Sequence, residues 1–293
     1  MDGVTQLEID QRVFDLYDEY CHGRIDRRAF LQQAAVVTVG GLAMAQALMP
    51  RYANAQTISF TDDRIKATYV TYPSPGGTSG TMRGYLVQPK GTGPFPVVLV
   101  VHENRGLNPY IEDVARRAAT EGFLALAPDG LFPVGGYPGN DDDGRALQAK
   151  LDQPKLRTDM LNSAKYLKTH ALSTGKLGVT GFCWGGGTTN WLATALGADM
   201  QAGVPYYGAA AETASVPSIK APLLVQLAQN DERINAMYPA YEAALKSAGV
   251  PYEVFIYPGT QHGFHNNSTP RYNEAAAKLS WERTIAFFKK NLA

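Results

Sequence analysis

The chain lacks what several functional classes require. Only two of its 293 residues are cysteine, Cys21 and Cys183, and no Cys-x-x-Cys pair occurs, which leaves thioredoxin-like redox chemistry and cysteine-built zinc sites without support. Basic and acidic residues number 27 each, so the formal net charge is zero and there is no electrostatic footprint for nucleic acid or an anionic membrane. Internal repeats and long low-complexity tracts are missing as well. The apolar run at residues 34–49 is short for a membrane span. What remains is a chain that is 45% hydrophobic, long enough for one large α/β domain with a short extra segment.

The stretch Lys-Leu-Gly-Val-Thr-Gly-Phe-Cys-Trp-Gly-Gly-Gly, starting at Lys176, organises the rest. Leu177-Gly178-Val179-Thr180 reads as a buried strand, and an apolar helix pattern follows over 186–196. Between them Gly181-Phe182-Cys183-Trp184-Gly185 has the spacing of a nucleophile elbow, a sharp strand-to-helix turn that exposes its central side chain. Glycine two residues to either side lets neighbouring backbone pass without meeting a Cβ. The helix start then offers N–H groups and a positive dipole end to a thiolate or an oxyanion. The same pattern would also suit a buried cysteine in a glycine-rich turn, so the rest of the chain must decide.

Further strands are predicted over 65–72, 81–87, 97–101, 123–127, 202–207, 223–228 and 252–257, and helices over 110–121, 235–248 and 270–292. The uninterrupted Val97-Val98-Leu99-Val100-Val101 is the pattern of a strand buried on both faces. Residues 129–144 are rich in Gly, Pro and Asp and read as a long loop over a site. Strands alternating with helices predict a mostly parallel central sheet with helices on both faces, and right-handed crossovers place the strand-end loops at one edge.

Three such loops carry reactive side chains. Cys183 ends one strand, Asp231 another, and His262 follows a third, in the order nucleophile, acid, histidine that marks α/β-hydrolases. Gaps of 48 and 31 residues each hold whole strand–helix units, so each residue returns to the same edge. In this arrangement His262 takes the thiol proton, Asp231 fixes the imidazole tautomer, and Cys183 forms a thioester that water hydrolyses. Taken singly, Asp231 also suits a helix N-cap and His262 a loop histidine. Asp129 suits loop folding, and His22 and His170 have no matching context. His265 is a weaker alternative base, and the Gly-Phe between it and His262 suits a turn rather than a metal pair. Backbone N–H groups of Asn104 and Trp184 are the expected oxyanion donors. Glu103 either receives the resting thiol's proton or pairs with Arg105.

Residues 1–55 have two readings. Arg27-Arg28, the apolar run and Ala53-Asn54-Ala55 have the form of a twin-arginine export signal, with residues 27–55 meeting the export machinery and Gln56 starting a periplasmic enzyme. Against this, Ile9, Val13, Leu16, Tyr17 and Tyr20 recur at helical spacing, which suits a retained arm packed on the body, in a protein that stays in the cytoplasm. Residues 56–293 are the catalytic domain on either reading.

From about residue 58 to 292 the chain resembles the dienelactone hydrolase family, on the strength of Gly-Phe-Cys-Trp-Gly-Gly, Asn230-Asp231, Gln261-His262-Gly263-Phe264 and the loop Glu103. The resemblance implies an α/β-hydrolase fold and hydrolysis of a lactone or activated ester through Cys183, His262 and Asp231, with no cofactor and no metal. It also implies that Glu103 pairs with the resting thiol. The family's substrate-carboxylate arginine, four residues past the histidine, is replaced here by Asn266, which leaves Arg105, Arg145 and Arg271 as candidates for that contact. Dienelactone itself is therefore not the expected substrate over another lactone or small ester. A reactive-thiol sensor or an acyl-transfer enzyme would use the same residues. Neither the physiological substrate nor the oligomeric state is written in the sequence.

Overall fold

The computed structural model describes residues 9–21, 24–48 and 56–293. Alternation along the strands builds two apolar layers. On β3 (Phe95–Val101), Val97, Leu99 and Val101 enter one core while Val98 and Val100 enter the other, because successive strand side chains point to opposite faces. The first core is closed by α6 (Gln153–Lys168), α7 (Trp184–Leu196) and α9 (Tyr238–Ser247), through residues such as Met160, Leu192 and Tyr241. The second is closed by α4 (Pro109–Thr120) and α10 (Glu274–Asn291), through Ile111, Val114, Ile285 and Phe288.

The strands are β1 (Ile65–Ser74), β2 (Gly80–Pro89), β3, β4 (Leu124–Pro128), β5 (Ser173–Phe182), β6 (Ala202–Tyr206), β7 (Leu223–Asn230) and β8 (Tyr252–Gln261). They form one eight-stranded sheet in the order β1-β2-β4-β3-β5-β6-β7-β8. The β1–β2 and β2–β4 pairs are antiparallel, and every later pair is parallel. This is the α/β-hydrolase architecture. After β3 the chain crosses to β4 on one side and then returns to β5 on the other. Val101 therefore pairs with Gly181, and the loops leaving β3 and β5 diverge from adjacent points, the crevice where open α/β sheets hold ligands.

Several strands run longer than the sequence expectation, β8 reaching Gln261 and β5 covering Ser173–Phe182, and three helical stretches differ as well. The stretch expected as a loop over 129–144 already contains the start of α5 (Asp141–Ala149), because Asn140 accepts a hydrogen bond from the Asp143 N–H and caps it. The helix expected over 235–248 is split into α8 (Glu232–Asn235) and α9, with Pro239 in the first turn of α9, where its missing N–H is harmless. The last helix begins at Glu274 rather than at 270, capped by Asn273.

Upstream lie α1 (Gln11–Cys21), α2 (Arg27–Val37) and α3 (Gly41–Ala47), which share a small core of Val13, Phe14, Tyr17, Phe30, Ala34 and Leu48. The apolar run at 34–49 is not one helix: Thr38 ends α2 in extended backbone and Gly40, at φ +79°, starts α3. Among the described residues no helix is long and apolar enough to cross a membrane. The expected cleavage site Ala53-Asn54-Ala55 and His22 lie outside the described residues.

Candidate active site

The β5–α7 junction is a strained elbow. Cys183 sits at φ 57°, ψ −114° immediately before the first turn of α7, a backbone region that L-residues avoid unless the surroundings enforce it. The surroundings are close-packed backbone. A Cβ on Gly181 would lie 2.2 Å from the Gly185 carbonyl oxygen, and one on Gly185 would lie 2.4 Å from that of Val101. The elbow is held from β6 by the Cys183 N–H, which donates to the Tyr206 carbonyl at 3.1 Å. The thiol is buried at 8% exposure, yet it lines a cleft of about 490 Å³.

His262 leaves the end of β8 and reaches the same cleft. Its Nδ1 donates to Asp231 Oδ2 at 2.6 Å, and its ring is close enough to Cys183 to feel the charge of the sulfur. The other oxygen of Asp231 accepts the Ile234 N–H at 3.4 Å, so the carboxylate both caps α8 and orients the imidazole. The two roles open to Asp231 in the sequence are thus compatible, one oxygen each. Glu232, its neighbour, is exposed in the first turn of α8. Burial pulls the His262 imidazole down, but the charges of Asp231 and Cys183 outweigh it and hold its pKa well above the ordinary histidine value. Tyr207, at φ 33° and fully buried, packs tilted against this ring at 5.0 Å between centroids. Nothing in its sequence context marks it.

Behind the sulfur lies Glu103, 1% exposed. Asn266 Nδ2 donates to its Oε2 at 3.0 Å, and Arg105 Nε stands 3.8 Å from the same oxygen. Burial raises the Glu103 pKa; Arg105 opposes the rise and Cys183 adds to it. The carboxylate therefore feels both partners weighed from the sequence, the arginine and the thiol. The loop that carries it is fixed by His102, whose Nδ1 donates to the Glu103 carbonyl at 2.6 Å while Nε2 accepts the Gly130 N–H at 3.2 Å. Burial keeps the His102 pKa below the usual value. Asn104 and Trp184 also line the cleft, and Trp184 opens α7, where backbone N–H groups have no acceptor within the helix.

The residues expected to meet a substrate carboxylate stand elsewhere. Arg105 and Arg271 are 4% and 2% exposed, Arg145 stacks over the Tyr20 ring at 4.2 Å, and none of the three lines the cleft. Arg105 donates to Asp141 at 2.6 Å, and Asn266 is engaged with Glu103. For Arg105 and Arg145 the physical reason is charge pairing with the carboxylates of Glu103, Asp141 and Asp142, and Arg271 is instead held over the Tyr17 ring. The cleft instead carries Arg157 from α6 and Arg233 from α8, with Trp184 and Trp191 beside them. Arg233 was within reach of sequence reasoning, two residues past Asp231. Arg157 was not, since a basic residue on a helix face gives no signal. Asp129 is a loop-folding residue, paired with Arg83 at 2.5 Å. His265 is fully buried against the Tyr110 hydroxyl at 2.7 Å and does not line the cleft. Among the described residues no cluster of His, Cys, Asp or Glu could hold a metal ion.

Comparison with known proteins agrees with this architecture. Residues 82–292 match the model of the dienelactone hydrolase family, and residues 1–38 match a second family described as YqhI-like. A hydrolase fragment of Escherichia coli K12, YghX, so named provisionally, is 63% identical over 112 residues, covering 38% of this chain and 95% of its own. A protein of the same organism provisionally named a carboxymethylenebutenolidase is 33% identical over 253 residues, covering 80% of this chain and 92% of its own. The crystal structure of a provisionally named dienelactone hydrolase from Klebsiella pneumoniae superposes with a TM-score of 0.65 at 28% identity, covering 76% of this chain and 99% of that one. With the fold, the cleft and these matches in agreement, the chain belongs to the dienelactone hydrolase family and is a hydrolase of the ester and lactone class.

Proposed function

We propose that the protein hydrolyses a lactone or small activated ester through Cys183, His262 and Asp231. The observation that carries this is the strained Cys183 at the mouth of the cleft, beside a His262 whose other nitrogen is held by Asp231 at 2.6 Å. His262 accepts the thiol proton, and the sulfur attacks the carbonyl carbon. The carbonyl electron pair moves to oxygen, which the N–H groups of Asn104 and Trp184 stabilise. Collapse breaks the C–O bond, and the departing alkoxide takes the proton from His262. In a lactone this alkoxide stays tethered to the acyl group. His262 then deprotonates a water that attacks the thioester, and the acid and the thiol are released. Asp231 stabilises the imidazolium in both halves.

Arg157 and Arg233 support a substrate that carries an anionic group beyond the scissile carbonyl. Residues 1–55 enter this reading as a retained arm. What supports retention is that α1 lays Tyr17 over Arg271, beside the histidine loop.

The test is turnover of an uncharged activated aryl ester. Cys183→Ala and His262→Ala are each expected to lower kcat by about 10⁴ or more. A Cys183→Ala protein with the wild-type rate would overturn the assignment. A rapid burst of one alcohol per active site is expected if the thioester accumulates.

A further inference from the structure

The N-terminal helices do more than pack on themselves. Gln11 and Gln261 exchange side-chain hydrogen bonds, at 3.3 Å in one direction and 2.6 Å in the other, and Gln261 directly precedes His262. Tyr17, 1% exposed, lies under the Arg271 guanidinium at 4.6 Å. Arg271 in turn presses on the residue after His262, since a Cβ on Gly263 would stand 3.0 Å from its Nη2. Tyr20, 3% exposed, donates its hydroxyl proton to Asp142, and Arg145 covers its ring at 4.2 Å. Arg27, the first residue of the twin-arginine pair, stands 3.6 Å from Asp142. Both α5 contacts adjoin Asp141, the residue that holds Arg105 beside Glu103.

Three separate pieces of the body are therefore gripped: the end of β8, the segment that carries Arg271, and the start of α5. None of these gripping residues lines the cleft. All act on groups around or behind the sulfur. We propose that residues 9–48 are a resident cap, and that Tyr17 and Tyr20 are positioning residues for the hydrolysis, acting through Arg271 and through Asp142 on the charged layer that surrounds Glu103 and Cys183.

The layer is compact. Glu103 faces Arg105 on its own loop, Asp141 from α5, Cys183 from the elbow, and Asn266 and Arg271 from the segment past His262. The buried phenols of Tyr110 and Tyr207 are close enough to feel its charge. Arg271 favours the ionised carboxylate. A cation held in place lowers the pH at which such a coupled group of acids sheds its proton, whichever member titrates. If Tyr17 no longer fixes the guanidinium, the acid limb of the rate profile moves up in pH.

This rests on the catalytic assignment of Cys183 and His262. The experiment uses the full chain, with each variant normalised to the fraction of Cys183 that iodoacetamide alkylates. In Tyr17→Ala, kcat/KM on an uncharged aryl ester is expected to fall about tenfold, and the acid-limb midpoint to rise by about half a pH unit or more. Tyr17→Phe keeps the aromatic face and is expected to restore both. Tyr20→Phe removes only a hydroxyl and is expected to lower kcat/KM about threefold or more, which keeps the test open should Tyr17→Ala fail to fold. Val39→Ser, on a 96% exposed site of the arm, is expected to leave all of this unchanged. A wild-type pH profile and rate in both Tyr17→Ala and Tyr20→Phe would overturn the cap, as would a mature protein from its own cells that begins at Gln56. An active Cys183→Ala would instead overturn the catalytic assignment beneath it.

Discussion

At the scale of single residues, the site divides its charges by depth. Of the arginines expected at the substrate, Arg105 is held by Glu103 and Asp141, Arg145 by Asp142, and Arg271 lies over Tyr17, while Arg157 and Arg233 line the cleft. A guanidinium contact to a bound carboxylate contributes about 1.5–3 kcal/mol, or roughly 10- to 100-fold in binding. Arg233→Met is therefore expected to raise KM by about that factor for a carboxylate-bearing aryl ester. KM for the neutral ester of the same size should stay within about twofold. Steady-state kinetics on the matched pair checks this, and equal effects on both esters would remove Arg233 from substrate recognition.

At the scale of elements, the β3 loop and the start of α7 are locked by contact of backbone with backbone. A Cβ at Gly185 would lie 2.4 Å from the Val101 oxygen and 2.5 Å from that of His102. Neither atom belongs to a flexible side chain that can swing away, so α7 or β3 must shift. Overpacking of this kind costs about 1–3 kcal/mol or more. Gly185→Ala is expected to lower the thermal midpoint by several degrees. It should lower kcat further than the loss of folded protein explains, because the start of α7 and Cys183 shift against the β3 loop. A calorimetric scan with active-site titration separates the two effects. The elements also show why some boundaries were readable. Val97 to Val101 could only be a buried strand, and the Gly-x-Cys-x-Gly spacing could only serve a tight turn. The start of α5 was hidden because its cap, Asn140, lies in a stretch whose Gly and Asp content reads equally well as loop. The break between α8 and α9 turned on Pro239, which sits as comfortably inside a first helical turn as outside a helix.

At the scale of the whole molecule, stability is coupled to the charge state of the site. Burial pulls His262 down, yet Asp231 and Cys183 raise it well above its ordinary value of 6.5. Burial raises Glu103 above 4.5. In both cases the folded chain holds protons that the unfolded chain has released, so stability falls as pH rises from the ordinary value through the folded one. The His262 contribution is fully present below about pH 6.5 and is lost as pH climbs through the raised value. The thermal midpoint of the wild type is expected to decline from pH 6.5 upward. Asp231→Asn, which removes the charge that raises His262, should show a flatter decline over the same window. Differential scanning fluorimetry across pH checks this, and parallel slopes for the two proteins would contradict the coupling.

The order Cys183, Asp231, His262 and the strand ends that carry them follow from local spacing and from strand–helix alternation, both of which a sequence holds in full. So do the fold class and the elbow, because chain geometry over a few residues leaves few alternatives. Which arginines meet the cleft, which oxygen of Asp231 serves the cap and which the imidazole, and how α1 lies across Gln261 and Arg271 were decided only by tertiary structure. The Gln11–Gln261 contact among them joins residues 250 positions apart. Their partners are chosen by burial and charge neutralisation in three dimensions, and neither leaves a periodic trace along the chain.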